Sequence, residues 1–132
     1  LSGRAVLRAI HFFDENRRVE LAASALAQND EEGFLKVIRK SAHSSWELLQ
    51  NLYSAGDKEQ LIPFAILMSK ETEGVKAARV HGGGFAGTIL AFVKKSGSNG
   101  YFDKMKSLFG EQNVFKLNIR SSGARQILHI SD

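Results

Sequence analysis

Three consecutive glycines, Gly82, Gly83 and Gly84, stand between two short apolar runs, Val75 to Val80 and Ile89 to Val93. Glycine has no Cβ, so its backbone reaches positive φ and lets other groups approach closely. The two apolar runs read as strands, the second of them buried. The glycine segment between them has two readings. It is a tight hairpin with bulges, or its successive N–H groups form a concave site for an anion or a sugar. It is not a Walker loop, which ends in Gly-Lys-Ser/Thr, nor a dinucleotide fingerprint, which opens a helix.

The rest of the chain sets the frame around this loop. Val6, Leu7, Ile10, Phe13, Arg17 and Leu21 recur at spacings of three and four, predicting one apolar helix face with Ser2 as its cap. Asn29 and Asp30 break that pattern and introduce a second helix carrying Phe34, Leu35, Ile38, Ala42, Trp46, Leu49 and Leu52 on one side. After a turn at Gly56 and Asp57, Pro63 suits the first turn of a third helix through Phe64, Leu67 and Met68 to about Glu73. Beyond the two strands, Tyr101, Met105, Leu108 and Phe109 predict a short amphipathic helix closed by Gly110. Val114, Phe115, Leu117 and Ile119 then predict a third strand, and Gln126 to Ile130 a fourth. Helices followed by a small, mostly antiparallel sheet of four strands indicate an α+β domain over residues 1–132.

Composition excludes several function classes. The 132 residues contain no cysteine, which rules out disulfides, thiol nucleophiles and zinc–thiolate sites. The four His residues, at 11, 43, 81 and 129, lack a metal-ligand spacing, so no metal site is expected. No Ser lies in a nucleophile elbow. The formal net charge is +4, but Lys and Arg alternate with acids, as Arg17 and Arg18 do with Asp14, Glu15 and Glu20. A nucleic-acid binder gathers its cations on one face, so no nucleic-acid partner is expected. No apolar run is long enough to span a membrane, and no signal peptide is read at the N-terminus. The expected setting is the cytoplasm. The chain begins at Leu1 rather than Met, and residues upstream are expected.

The segment Ala77-Ala78-Arg79-Val80-His81-Gly82-Gly83-Gly84-Phe85-Ala86-Gly87-Thr88 resembles the third conserved motif of the GHMP small-molecule kinases, which in galactokinases reads roughly G-A-R-M-T-G-G-G-F-G-G-C. Ala78, Arg79, Gly82, Gly83, Gly84, Phe85 and Gly87 match it. Arg8-Ala9-Ile10-His11-Phe12-Phe13-Asp14-Glu15-Asn16-Arg17-Arg18-Val19 is similar to the R-A-R-H-x-x-x-E-N-x-R-V helix of galactokinases. His43 and Ser45 match S-H-x-S-L, and Ser121 to Arg125 resembles P-S-x-G-A-R. Leu49 to Asp57 departs from the family's D-Y-x-V-S stretch. Four motifs in register cover nearly the whole chain.

The resemblance implies the C-terminal domain of a galactokinase, with the ferredoxin-like fold of GHMP kinase C-terminal domains. The reaction this resemblance implies is ATP-dependent phosphorylation of galactose at the anomeric hydroxyl. The resemblance implies that ATP, Mg²⁺, the phosphate loop and the catalytic Asp belong mainly to an N-terminal domain that is the chain's own partner. No catalytic residue is then expected here, and the chain alone is expected to be inactive. The substrate-proximal loop is Gly82, Gly83, Gly84, Phe85, Ala86 and Gly87, with Phe85 packing beneath it. Arg79 is read as a phosphate partner or a structural arginine, and His81 stands at the loop entrance. His11 and Glu15, four apart, are read as structural. Other sugars and a free-standing regulatory module remain as alternatives.

Overall fold

The computed structural model describes residues 2–85 and 87–118. They form four α-helices and a two-stranded antiparallel sheet: α1 (Gly3–Ala27), α2 (Glu31–Ser44), α3 (Leu61–Lys70), β1 (Val75–Val80), β2 (Ile89–Val93) and α4 (Ser98–Phe109). The α+β class is the expected one. The starts of α1 and α2 follow their local chemistry. Ser2 Oγ accepts from the Ala5 amide at 3.3 Å, and Asp30 Oδ1 accepts from the Gly33 amide at 2.9 Å. These side chains satisfy amides that have no partner within the helix. Gly110, at φ +91°, ends α4 as expected.

Helix α2 runs on into one π-type turn, Ser45–Leu49, where the Gln50 amide reaches the Ser45 carbonyl at 2.8 Å. Gln50 then takes φ +58°, a left-handed conformation that stops the helix. The turn sends the chain sharply away and buries Asn51 and Leu52. Leu52 joins Ile62 and Ile66 of α3 and Val80 of β1 in the main apolar cluster, with Ile89 of β2 against it.

Strand β1 pairs with β2 from Val80↔Ile89 to Val75↔Val93, with a register irregularity between Val75 and Ala77. Successive strand side chains point to opposite faces. Val80 packs on α3, whereas its neighbour Arg79 reaches Ser41 of α2. Helix α2 also touches β2 through an edge-to-face Phe34–Phe92 pair with centroids 5.5 Å apart. Helix α4 docks on α3 through Phe64–Phe109 and a Ser69–Tyr101 hydrogen bond of 2.8 Å.

Two expectations are corrected. The stripe Val6, Ile10, Phe13 and Leu21 does not form the packed face of α1; Phe13 is 71% exposed. The inward face is Leu7, His11, Glu15, Arg18, Ala22 and Ala25, also at helical spacing but largely polar and small. Hydrogen bonding to α2, not apolar area, selects that face. The third strand is not formed over 114–118: among the described residues these pair with no strand, and Phe115 and Leu117 stay about three-quarters exposed. A strand needs a neighbour for its amides and carbonyls, and residues 114–118 have none among the described residues. Ile119 and the expected fourth strand lie outside the described residues.

Candidate functional site

The glycine loop closes β1 to β2. The His81 amide donates to the Thr88 carbonyl at 3.0 Å, pinning the loop's neck, and the Gly87 amide donates to the Gly84 carbonyl at 3.2 Å inside it. Gly82, Gly84 and Gly87 hold φ of +61°, +87° and +80°. L-residues with a side chain reach this region only at a cost of about 1–2 kcal/mol each. The hairpin therefore favours glycine at these places; the connection spans residues 81–88 and is not a tight turn, and the one register irregularity of the strand pair lies at its far end, between Val75 and Ala77.

The glycines differ in what surrounds them. Among the described residues a Cβ on Gly82, Gly83 or Gly87 would meet nothing within 4 Å, so the loop backbone there is open to an approaching group. Gly84 is buried instead. A Cβ there would sit 1.9 Å from the Asn51 carbonyl oxygen and 2.8 Å from its Nδ2. Gly84 is thus the seat of the loop on the turn that follows α2, and Gly82 and Gly83 are its open crest. The seat was expected to be Phe85. That ring is 61% exposed and does not pack beneath the loop. It borders a cleft of about 280 Å³ with Leu52, Tyr53, Ser54, Asp57, Leu61, Ile62 and Gly87. Ala86 lies outside the described residues.

His81 is exposed at the loop entrance. Arg79 faces the helices: its Nη1 donates to Ser41 Oγ at 2.6 Å and lies 3.7 Å from Glu15 Oε2, and its Nε donates to the Val80 carbonyl. Ser41 in turn donates to Glu15 Oε2 at 2.6 Å, and Arg18 donates to Glu15 Oε1 at 2.7 Å. Burial pushes the Glu15 carboxyl up, but the Ser41 hydroxyl, the Arg18 guanidinium and the Arg79 charge outweigh it and hold it below the usual carboxylate range. His11, 9% exposed, bonds Ser44 Oγ through Nδ1 at 2.9 Å. His11 and Glu15 therefore serve separate serines of α2 rather than each other. This network ties the strand entering the glycine loop to both long helices.

The buried serines of α2 and Asn51 went unnoticed in the sequence. Ser41 and Ser44, three apart, face His11 and Glu15, four apart, and those matched polar spacings were the available signal. Nothing in the sequence marked Asn51. His43 is exposed and lines a second cleft of about 290 Å³ with Arg39, Lys70 and Lys76, beside the far end of β1 from the loop. Ser45 is buried where the π-type turn begins. Among the described residues no group of His, Asp or Glu is placed to hold a metal ion, and no helix is long and apolar enough to cross a membrane.

No family model matches the chain. Individual proteins do. The chain is 36% identical over 106 residues to a galactokinase of Thermotoga petrophila, covering 80% of this chain and 27% of that protein. It is 30% identical over 121 residues to a galactokinase of Thermosipho africanus, covering 91% and 32%. It is 29% identical over 124 residues to a galactokinase of the dog, covering 92% and 29%. The resemblance read from the motifs is borne out, and the chain spans about a quarter to a third of the length of these curated relatives.

Proposed function

We propose that this chain is the C-terminal domain of a galactokinase-type kinase of the GHMP class, acting in the cytoplasm together with an N-terminal domain. The observation that carries the reading is the loop at Gly82–Gly87, open at its crest, within a chain similar to galactokinases over most of its length. ATP, when bound, supplies the phosphoryl group. The anomeric oxygen of galactose forms the new bond to the γ-phosphorus, the bond to the β–γ bridging oxygen breaks, and the hydroxyl proton leaves to a base of the N-terminal domain. Such transfer depends on positioning and on positive potential around the phosphates more than on covalent chemistry.

This chain's part is to form one wall of the cleft. The open backbone at Gly82, Gly83 and Gly87 fits close approach by a phosphate or a sugar hydroxyl, since no side chain intervenes. His81 and Phe85 flank that surface, and Phe85 borders the adjoining cleft. Arg79, bound to Ser41 and beside Glu15, positions the strand rather than a phosphate in this reading. In the same reading Mg²⁺ is held mainly by the N-terminal domain. The four-stranded, ferredoxin-like sheet belongs to the same reading.

The test is ATP-dependent formation of galactose 1-phosphate by the full-length protein, with Gly83→Val beside the wild type. Activity in the wild type and its loss in an intact Gly83→Val fold support the reading. Unchanged turnover in Gly83→Val refutes a loop that lines the site. A full-length protein that phosphorylates another sugar but not galactose keeps the kinase and moves the substrate. This chain alone is expected to fold and to phosphorylate nothing.

A further inference from the structure

We infer that Asn51 is a positioning residue for the glycine loop, favouring the anion-binding form of the backbone at Gly82, Gly83 and Gly84. The inference rests on the reading that this loop receives an anion. Asn51 is 2% exposed, and neither its Nδ2 nor its Oδ1 has a hydrogen-bond partner among the described residues. Burying a carboxamide that bonds nothing is destabilising, and native chains retain few such groups. The group also has a place. Its Nδ2 lies 2.8 Å from where a Gly84 Cβ would stand, directly against the loop backbone.

Peptide geometry supplies the partner. A trans peptide unit points its N–H and its C=O in opposite directions. When the loop turns N–H groups outward to an anion, the carbonyls of the same units turn inward. Glycine permits that rotation at Gly82, Gly83 and Gly84. The inward carbonyls then meet Nδ2 of Asn51, which is a donor otherwise unused. The anion-bound loop gains a hydrogen bond that the free loop lacks, so Asn51 favours the bound form over the free one.

The test uses Asn51→Leu, close in size and without polar atoms, in the full-length protein. Thermal unfolding and hydrogen exchange of residues 81–88 are followed with and without inorganic phosphate, and kcat/KM is measured with ATP and galactose. The expected result is a melting temperature at or above the wild type's, because an unpaired buried amide has gone. Phosphate protection of 81–88 weakens and kcat/KM falls, each by about tenfold, as loss of one hydrogen bond implies. A lower melting temperature with phosphate protection unchanged overturns the inference, since Asn51 is then only structural. Unchanged behaviour in every assay overturns it too. If Asn51→Leu does not fold, Asn51→Ala decides by its phosphate affinity, with unchanged affinity overturning the inference. A wild type whose loop phosphate protects but which phosphorylates no galactose sinks the galactokinase reading and leaves Asn51 standing. A wild-type loop that phosphate does not protect overturns the Asn51 inference itself.

Discussion

Replacing Gly84 by Ala measures how firmly the loop is seated. The added methyl carbon would lie 1.9 Å from the Asn51 carbonyl oxygen and 2.9 Å from its carbonyl carbon. Both are backbone atoms of the buried turn after α2, so no side-chain rotation relieves the overlap. Forcing such a group into a packed site costs about 1–3 kcal/mol. Holding alanine at the φ of +87° seen here adds about 1–2 kcal/mol. The expected destabilisation is therefore about 2–5 kcal/mol, a fall in the unfolding midpoint on the order of 10 °C for a domain of this size. Gly83→Ala is the internal control. Its methyl would meet nothing and its φ is not in the positive range, so its effect should stay within about 0.5 kcal/mol. Urea and thermal unfolding of both variants decide the matter. A Gly84→Ala protein as stable as Gly83→Ala would refute the placement of Gly84 on Asn51.

Glu15→Gln removes a carboxyl whose pKa is lowered in the fold, so the wild type's extra stability is present above the unfolded value near 4.5 and fades as pH falls through the lower folded value. Acid titration of stability should show a shallower loss below about pH 4.5 in Glu15→Gln, and identical acid limbs would refute the network around Ser41 and Arg79. Ile66→Ala opens the cluster of Leu52, Ile62 and Val80 and should cost about 2–5 kcal/mol in urea unfolding. Phe13→Lys, on the exposed stripe of α1, should change stability by less than about 0.5 kcal/mol. It should also reduce self-association of this chain in sedimentation, and a wild-type chain that stays monomeric at every concentration would count against that stripe as a sticky surface.

The legible parts of the site were those written in local chemistry. The glycine run marked a hairpin between two strands because only glycine takes those backbone angles at low cost, and Gly82, Gly84 and Gly87 do take them. Arg79 was readable as either a ligand or a brace, and its bond to Ser41 of α2 could not be inferred from a residue 38 positions away. Phe85 looked like a core residue by type, yet it is exposed, because the adjoining Gly84 already occupies the place beneath the loop.

The order of helices and strands follows from periodicity, caps and breakers, all of which act over a few residues. Ser2, Asp30 and Gly110 end their helices where they stand because orphaned amides and carbonyls need a partner within one turn. Which face of α1 turns inward does not follow from that pattern, since two stripes at helical spacing compete. The apolar stripe of Val6, Ile10 and Phe13 remains outside, and the stripe of His11, Glu15 and Arg18 is turned in. Tertiary structure decided this by supplying Ser41, Ser44 and Arg79 as partners, because a buried polar group is tolerated only where distant residues complete its hydrogen bonds.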